Sequence, residues 1–202
     1  MARIGDEIFR PIMRALDDAP VHLRQLRGAV DGMKAKQIRN RDGVTDIDKP
    51  IDAPGGNPPI DRSRNPDWLN ERLDRDDLPF WRRRMAEGDQ FNYQNHHRYP
   101  QNEVTLGSGK RLDSYLPGEV IVSRKNTQLD NVRPETANAY IDELSNKYSP
   151  GTPIAGSDEV LRGQPVLEVP VQNNPVPQTV IDHANGKEPP IVIQDVLGNV
   201  YN

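Results

Sequence analysis

The stretch Glu103–Gln128, EVTLGSGKRLDSYLPGEVIVSRKNTQ, holds two turn signals, Gly107-Ser108-Gly109 and Leu116-Pro117-Gly118, between three short runs that alternate apolar with polar residues. That pattern predicts a three-stranded meander. Side chains alternate along a strand, so residues 119, 121, 123 and 125 of the third run share one face, which carries Glu119, Ser123 and Lys125. A hairpin brings Asp113 of the second run alongside the third, within reach of Ser123 and Lys125. A carboxylate and an ammonium therefore converge at one end of the meander.

Downstream, Arg133-Pro134-Glu135 places a proline in the first turn of a helix, and Ala137, Tyr140, Ile141, Leu144 and Tyr148 follow at helical spacing until Ser149-Pro150-Gly151. A strand over Pro165–Val171, a short helix near Thr179–Ala184 and a strand over Pro190–Asp195 complete the second half, with a turn at Gly198. The order strand, strand, strand, helix, strand, helix, strand predicts a mixed α/β architecture.

Upstream the pattern is weaker. Residues 1–41 carry two apolar stripes at helical spacing, Ile4 to Leu16 and Val21 to Met33, the first interrupted by Pro11. Residues 42–66 are rich in Pro, Gly and Asp and read as a linker or extended wrap. Residues 67–89 hold both tryptophans and an arginine triplet, and read as a short amphipathic helix pinned to a neighbour by its aromatics. A tryptophan beside arginines also suits stacking on bases, which is the competing reading. The adjacent His96 and His97 point apart on a strand and do not make the i, i+4 pair that puts two ligands on one helical face.

Composition narrows the function. With 34% hydrophobic residues and 19 prolines in 202 residues, part of the chain is expected to pack poorly by itself. Cysteine is absent, which removes disulfides and thiolate zinc sites. No apolar run approaches the roughly 18 residues that span a bilayer, and the opening MARIGDEIFRPIM lacks the apolar core of a signal peptide, so no membrane insertion is expected. Residues 1–89 are neutral, with 17 basic and 17 acidic side chains, while residues 90–202 hold 9 against 13, a net of −4. That balance disfavours a passive nucleic-acid coat, which needs phosphate-neutralising charge, and penalises a metal-using enzyme less.

The order carboxylate strand, tight hairpin, residue-x-Lys strand, helix, strand resembles the PD-(D/E)XK, or restriction-endonuclease-like, nucleases. Leu112-Asp113 looks like their aspartate motif, and Ser123-Arg124-Lys125 like their (D/E)-x-K motif. More closely, residues 90–202 resemble the restriction-endonuclease-fold toxin domains of bacterial polymorphic toxins, through the phrases NEVTL, GKRLDSY, EVIVSRKNTQL, LEVPVQ and GNVYN. The resemblance implies a mixed sheet flanked by helices, preceded by a helical and Pro/Gly-rich extension. It implies a toxin that hydrolyses phosphodiester bonds with a divalent ion, Mg²⁺ foremost, and DNA before RNA as substrate. It also implies a cognate immunity protein, a delivery apparatus that engages residues 1–89, and action in the cytoplasm of a target cell. The alternatives are an RNA- or tRNA-cutting toxin and a non-enzymatic adaptor or structural module.

In that reading Asp113 is the principal metal ligand, and Lys125 orients the attacking water and offsets charge on the phosphate. Ser123 stands where the family carries an acid, so a second carboxylate is needed. Glu103 is the expected substitute, since Glu119 lies four residues from Ser123, roughly 13 Å along the strand. Ser123 and Gln128 would position water or phosphate by hydrogen bonds. Lys110, Arg111, Arg124 and Lys125 are the positive groups that an inhibitor is expected to cover.

Overall fold

The computed structural model describes residues 57–202, so the two stripes of residues 1–41 and the first part of the proline-rich stretch lie outside the described residues. Five strands form one mixed sheet in the order β1-β2-β3-β4-β5. They are β1 (Gln101–Thr105), β2 (Arg111–Leu116), β3 (Val120–Arg124), β4 (Gln164–Val169) and β5 (Val192–Asp195). The first three run antiparallel as the expected meander, and β3, β4 and β5 run parallel. Parallel neighbours need long crossovers. Helix α3 (Pro134–Lys147) supplies the first and α4 (Gln178–Asn185) the second.

The hairpin between β2 and β3 is set by Gly118, whose φ of 79° lies in the left-handed region that costs glycine nothing. Helix α3 starts with Pro134 at its head, carries Glu135 in the first turn and ends with Lys147, each favoured there by the helix dipole or the missing N–H. Its stripe residues Ala137, Ile141 and Leu144 are fully buried against Ile121, Leu167, Val169 and Ile193 of the sheet, with Val180 and Ala184 of α4 in the same core. The opposite sheet face buries Val120, Val122, Val166 and Val192 under Tyr99.

That second face meets a helical segment longer than the short amphipathic helix expected over residues 67–89. Residues 67–95 form two helices, α1 (Asp67–Leu73) and α2 (Phe80–Asn95), and α2 runs through the expected boundary at residues 89/90. Residues ahead of it are attached as well. Asp61 N–H donates to Gln94 Oε1 at 2.8 Å, and Val171 N–H donates to Asn57 Oδ1 at 2.8 Å. The aromatics pin it only in part: Trp68 meets Tyr93 of α2 edge-on with ring centroids 6.1 Å apart, but Phe80 is 79% exposed and Trp81 57%, and Leu69 and Ala86 supply the buried contacts. The physical reason is the spacing, since Phe80 and Trp81 occupy the first turn of α2, ahead of where its buried residues Ala86, Gln90 and Asn95 begin.

Both sheet margins are covered in part. At β1, the backbone of Leu106 bridges Ile154, and Ala155 N–H donates to Thr105 O. At β5, Gln194 bridges Val200, Tyr201 N–H donates to Ile193 O, and Asn202 Oδ1 accepts from Ile193 N–H.

Candidate functional site

The β2–β3 register pairs Ser114 with Val122, Tyr115 with Ile121 and Leu116 with Val120, so its continuation sets Asp113 opposite Ser123. Asp113 Oδ2 accepts the Arg124 backbone N–H at 2.6 Å, which fixes the carboxylate across the end of β3. Its other oxygen accepts no hydrogen bond from a described side chain. Burial pushes the Asp113 carboxyl up, against the opposing pull of the Arg124 N–H, the Arg124 guanidinium and the Lys125 ammonium. Ser123 is buried beside it.

Lys125 leaves the strand with its N–H on Glu168 O of β4 at 3.0 Å. Its Nζ lies 2.7 Å from Glu143 Oε2 on α3 and 5.5 Å from the centroid of the Tyr140 ring. Glu143 also holds Lys147 at 2.7 Å, and although burial pushes its carboxyl up, the two lysines outweigh that and hold it below the usual range. Sequence reasoning missed Glu143. The Glu143–Lys147 i,i+4 pair was legible on the helix, whereas the contact with Lys125 depends on where the crossover lays α3 against β3.

Glu103, the expected second metal ligand, meets basic and amide partners on β2 and α2. Its Oε2 lies 2.6 Å from Arg111 Nε, its Oε1 accepts from the Asn92 amide of α2, and His96 Nε2 sits 3.5 Å from the same oxygen. Burial pushes its carboxyl up, but His96, Arg111 and Asn92 together hold it below the usual range. The residue has a φ of 53°, so the strand is kinked where it points its side chain at these partners. Glu119 stands apart at the β2–β3 turn, its carboxyl pushed up by burial.

Gln128 is likewise committed elsewhere. Its Nε2 donates to Val171 O at 2.9 Å and its Oε1 accepts Asn173 N–H at 2.7 Å, so it clamps the segment after β4. Arg124 is corrected as well: it is buried on the α2 side and is no surface cation for an inhibitor to cover. Its Nε lies 2.6 Å from Glu168 Oε2, and its Nη1 donates to Asn92 Oδ1 and Ser114 Oγ at 2.8 Å. Alternation along β3 sends Arg124 to the face opposite Ser123, where Glu168 waits on the neighbouring strand.

Tyr148, at the end of α3, reports the electrostatics of this end of the sheet. Its hydroxyl is pushed up to about 12, first by burial and then by the carboxylates of Glu143, Asp113 and Glu103 around it. Three acids thus share the neighbourhood, but two already carry basic partners. A hard divalent ion wants oxygen ligands and keeps much of its water. Asp113 has an oxygen to spare for such an ion, whereas the oxygens of Glu103 also meet Arg111 and Asn92. Among the described residues no group of three or more His, Cys, Asp or Glu side chains is gathered to hold a metal. The two histidines of the 96–97 pair lie in a 3-10 turn over residues 96–98 and not on the expected strand, and they part there, His96 toward Glu103 and His97 Nδ1 to Gln94 O at 2.9 Å.

Comparison with protein-family models, with curated proteins and with solved structures returns no match. Among the described residues no helix is long and apolar enough to cross a membrane.

Proposed function

We propose that the chain is a divalent-metal-dependent nuclease of the restriction-endonuclease-like fold that hydrolyses DNA and acts as a toxin between bacteria. The observation that carries this reading is the convergence of Asp113, Ser123 and Lys125 at one end of the β2–β3 pair, within a sheet whose order is strand, hairpin, strand, helix, strand. A divalent ion held by Asp113 would polarise the phosphate and acidify the attacking water. The Arg124 N–H keeps the Asp113 carboxylate aimed across β3. Lys125 offers its ammonium to the phosphate oxygens, where negative charge grows in the transition state, and Glu143 holds that ammonium in place when substrate is away. Ser123 lends a neutral hydroxyl where a second acid would add charge. Glu103 serves by positioning Arg111 and Asn92.

Such an activity would destroy its producer, so the reading brings with it a dedicated immunity protein, delivery through the N-terminal residues and action in a target cell's cytoplasm. With Arg124 buried, Lys110, Arg111 and Lys125 are the basic groups left for that inhibitor to meet, unless it binds beside the site. The test is incubation of the full chain with plasmid DNA and with total RNA, in Mg²⁺ or in chelator. Plasmid nicking that needs Mg²⁺ and disappears in Asp113→Ala and Lys125→Ala, both still folded by circular dichroism, is the expected result. Cleavage of RNA alone would move the substrate, and retention of activity by either variant would overturn the site.

A further inference from the structure

Among the described residues five large apolar side chains are exposed, Ile60, Trp68, Phe80, Trp81 and Met85, and every one precedes Ala86. Four of them belong to α1 and the first two turns of α2, and Trp68, Trp81 and Met85 line a groove of about 500 Å³ between those helices. Exposed apolar residues scattered singly are ordinary, whereas a gathered set marks an interaction surface. Tryptophan, phenylalanine, methionine and arginine are also the types that protein interfaces collect, and tryptophan and arginine are prominent among their hot spots.

Charge decides the class of partner. Residues 57–89 hold seven arginines and no lysine against eight acids. Nucleic acid and anionic lipid both call for a surplus of positive charge, so this face suits neither. Within the groove Arg72 is held by Asp89 at 3.4 Å and Arg75 by Asp77 at 2.8 Å. Glu71 on the α1 wall and Arg82 on the α2 wall remain: neither side chain makes an ion pair or hydrogen bond with a described residue, and the Arg82 guanidinium lies 5.1 Å from the centroid of the Trp81 ring. One acid and one base left over on opposite walls form a self-complementary set, because in a two-fold pair residue i of one copy meets j of the other while j meets i.

We infer that this face joins two copies of the chain about a two-fold axis, one tryptophan-lined groove against the other, with Arg82 of each copy meeting Glu71 of its mate. The contact uses neither margin of the sheet and is independent of the nuclease reading. The patch draws on one seven-residue helix and the start of another, short of the roughly 20–30 residues that a standard interface gathers on each side. The pairing is therefore of about 10–500 µM strength, weaker than the roughly 1 µM at which full-sized interfaces begin. At lower concentration the chain is a monomer and its aromatics return to solvent.

The experiment is sedimentation equilibrium of the full chain from about 1 µM to about 1 mM, with Glu71→Arg, Arg82→Glu and Trp81→Ser beside wild type. Wild type should dimerise. Either charge reversal should weaken dimerisation at least about tenfold by setting like charges opposite, and Trp81→Ser should weaken it at least about fivefold. Mixing the two charge-reversed proteins, or combining both changes in one chain, should return the affinity to within about threefold of wild type, since each contact then pairs opposite signs again. Urea unfolding at about 1 µM checks that every variant folds, and recovery on mixing requires folded chains. A chain that stays monomeric to about 1 mM overturns the inference, as does dimerisation indifferent to residues 71 and 82, or reversals that do not recover on mixing. A monomer whose tryptophan fluorescence responds to a single-stranded oligonucleotide, and no longer does so in Trp81→Ser, also overturns it and gives the face to base stacking.

Discussion

Replacing Glu168 by alanine should cost more stability than any single change at the candidate site. The carboxylate is fully buried and receives four donors: Arg98 Nη1 and Arg124 Nε at 2.6 Å, Tyr99 Oη at 2.9 Å and Gln194 Nε2 at 3.4 Å. Removing it strands two guanidinium groups that are themselves almost wholly buried. Breaking a buried ion pair from one side costs about 3–5 kcal/mol, because the remaining charge loses its compensation. For a folded unit of this size that is a melting temperature lower by roughly 6–20 °C. Burial pushes the Glu168 carboxyl up, but Arg98 and Arg124 outweigh it and hold the group below the usual range. A depressed folded value means the stabilisation is present above the unfolded value of about 4.3 and is lost as pH falls through the folded one. Thermal melts of wild type and Glu168→Ala should therefore differ most near neutrality and converge only in acid, as pH falls through the depressed folded value. A neutral-pH difference under about 1 kcal/mol, the scale of an ordinary surface change, would refute the reasoning.

Three further outcomes follow from the geometry. Gly163→Ala should lower stability by about 3 kcal/mol or more, because its new methyl would stand 2.4 Å from Glu119 C at a φ of 129°; a denaturant midpoint equal to wild type would contradict the close approach. Phe80→Ser and Trp81→Ser should each shift urea unfolding by no more than about 0.5 kcal/mol, since both rings face solvent, whereas a large loss would restore the pinning role read from the sequence. In a Mn²⁺ titration, Asp113→Asn should weaken binding far more than Glu103→Gln, whose carboxylate is spent on Arg111 and Asn92; the reverse ranking would return Glu103 to the metal.

Much of the sheet was legible because local chemistry specified it. Gly-rich turns marked both ends of β2, alternation defined β3, and the Ala137–Ile141–Leu144 stripe announced a helix with one buried face. The Asp113–Ser123 juxtaposition followed from a short hairpin, which leaves little freedom of register. What escaped was decided at long range. Nothing near Lys125 signals Glu143, and nothing near Arg124 signals Glu168, 44 residues away across a helical crossover. Glu103 was chosen because Glu119 lies too far along the strand, while its partners depend on Arg111 in the next strand and Asn92 in a helix that runs across the expected boundary at residues 89/90. Polar residues on α2 hid it from a search for apolar stripes, since its inward face carries Gln90 and Asn95 beside Ala86.

The coverage at the two margins of the sheet bears on how the molecule behaves when crowded. An open edge strand offers a ladder of unpaired amides to any neighbouring copy, which is how sheets nucleate aggregates. Here Asn202 and Tyr201 occupy backbone groups beside β5, while at β1 the 153–155 segment lies across one end and the left-handed Glu103 interrupts the straight run. A second chain would find each margin interrupted by these contacts. Resistance to edge-to-edge pairing would then rest on the kink at Glu103, the Tyr201 backbone N–H and the Asn202 side chain, independently of whatever chemistry the other end of β3 performs.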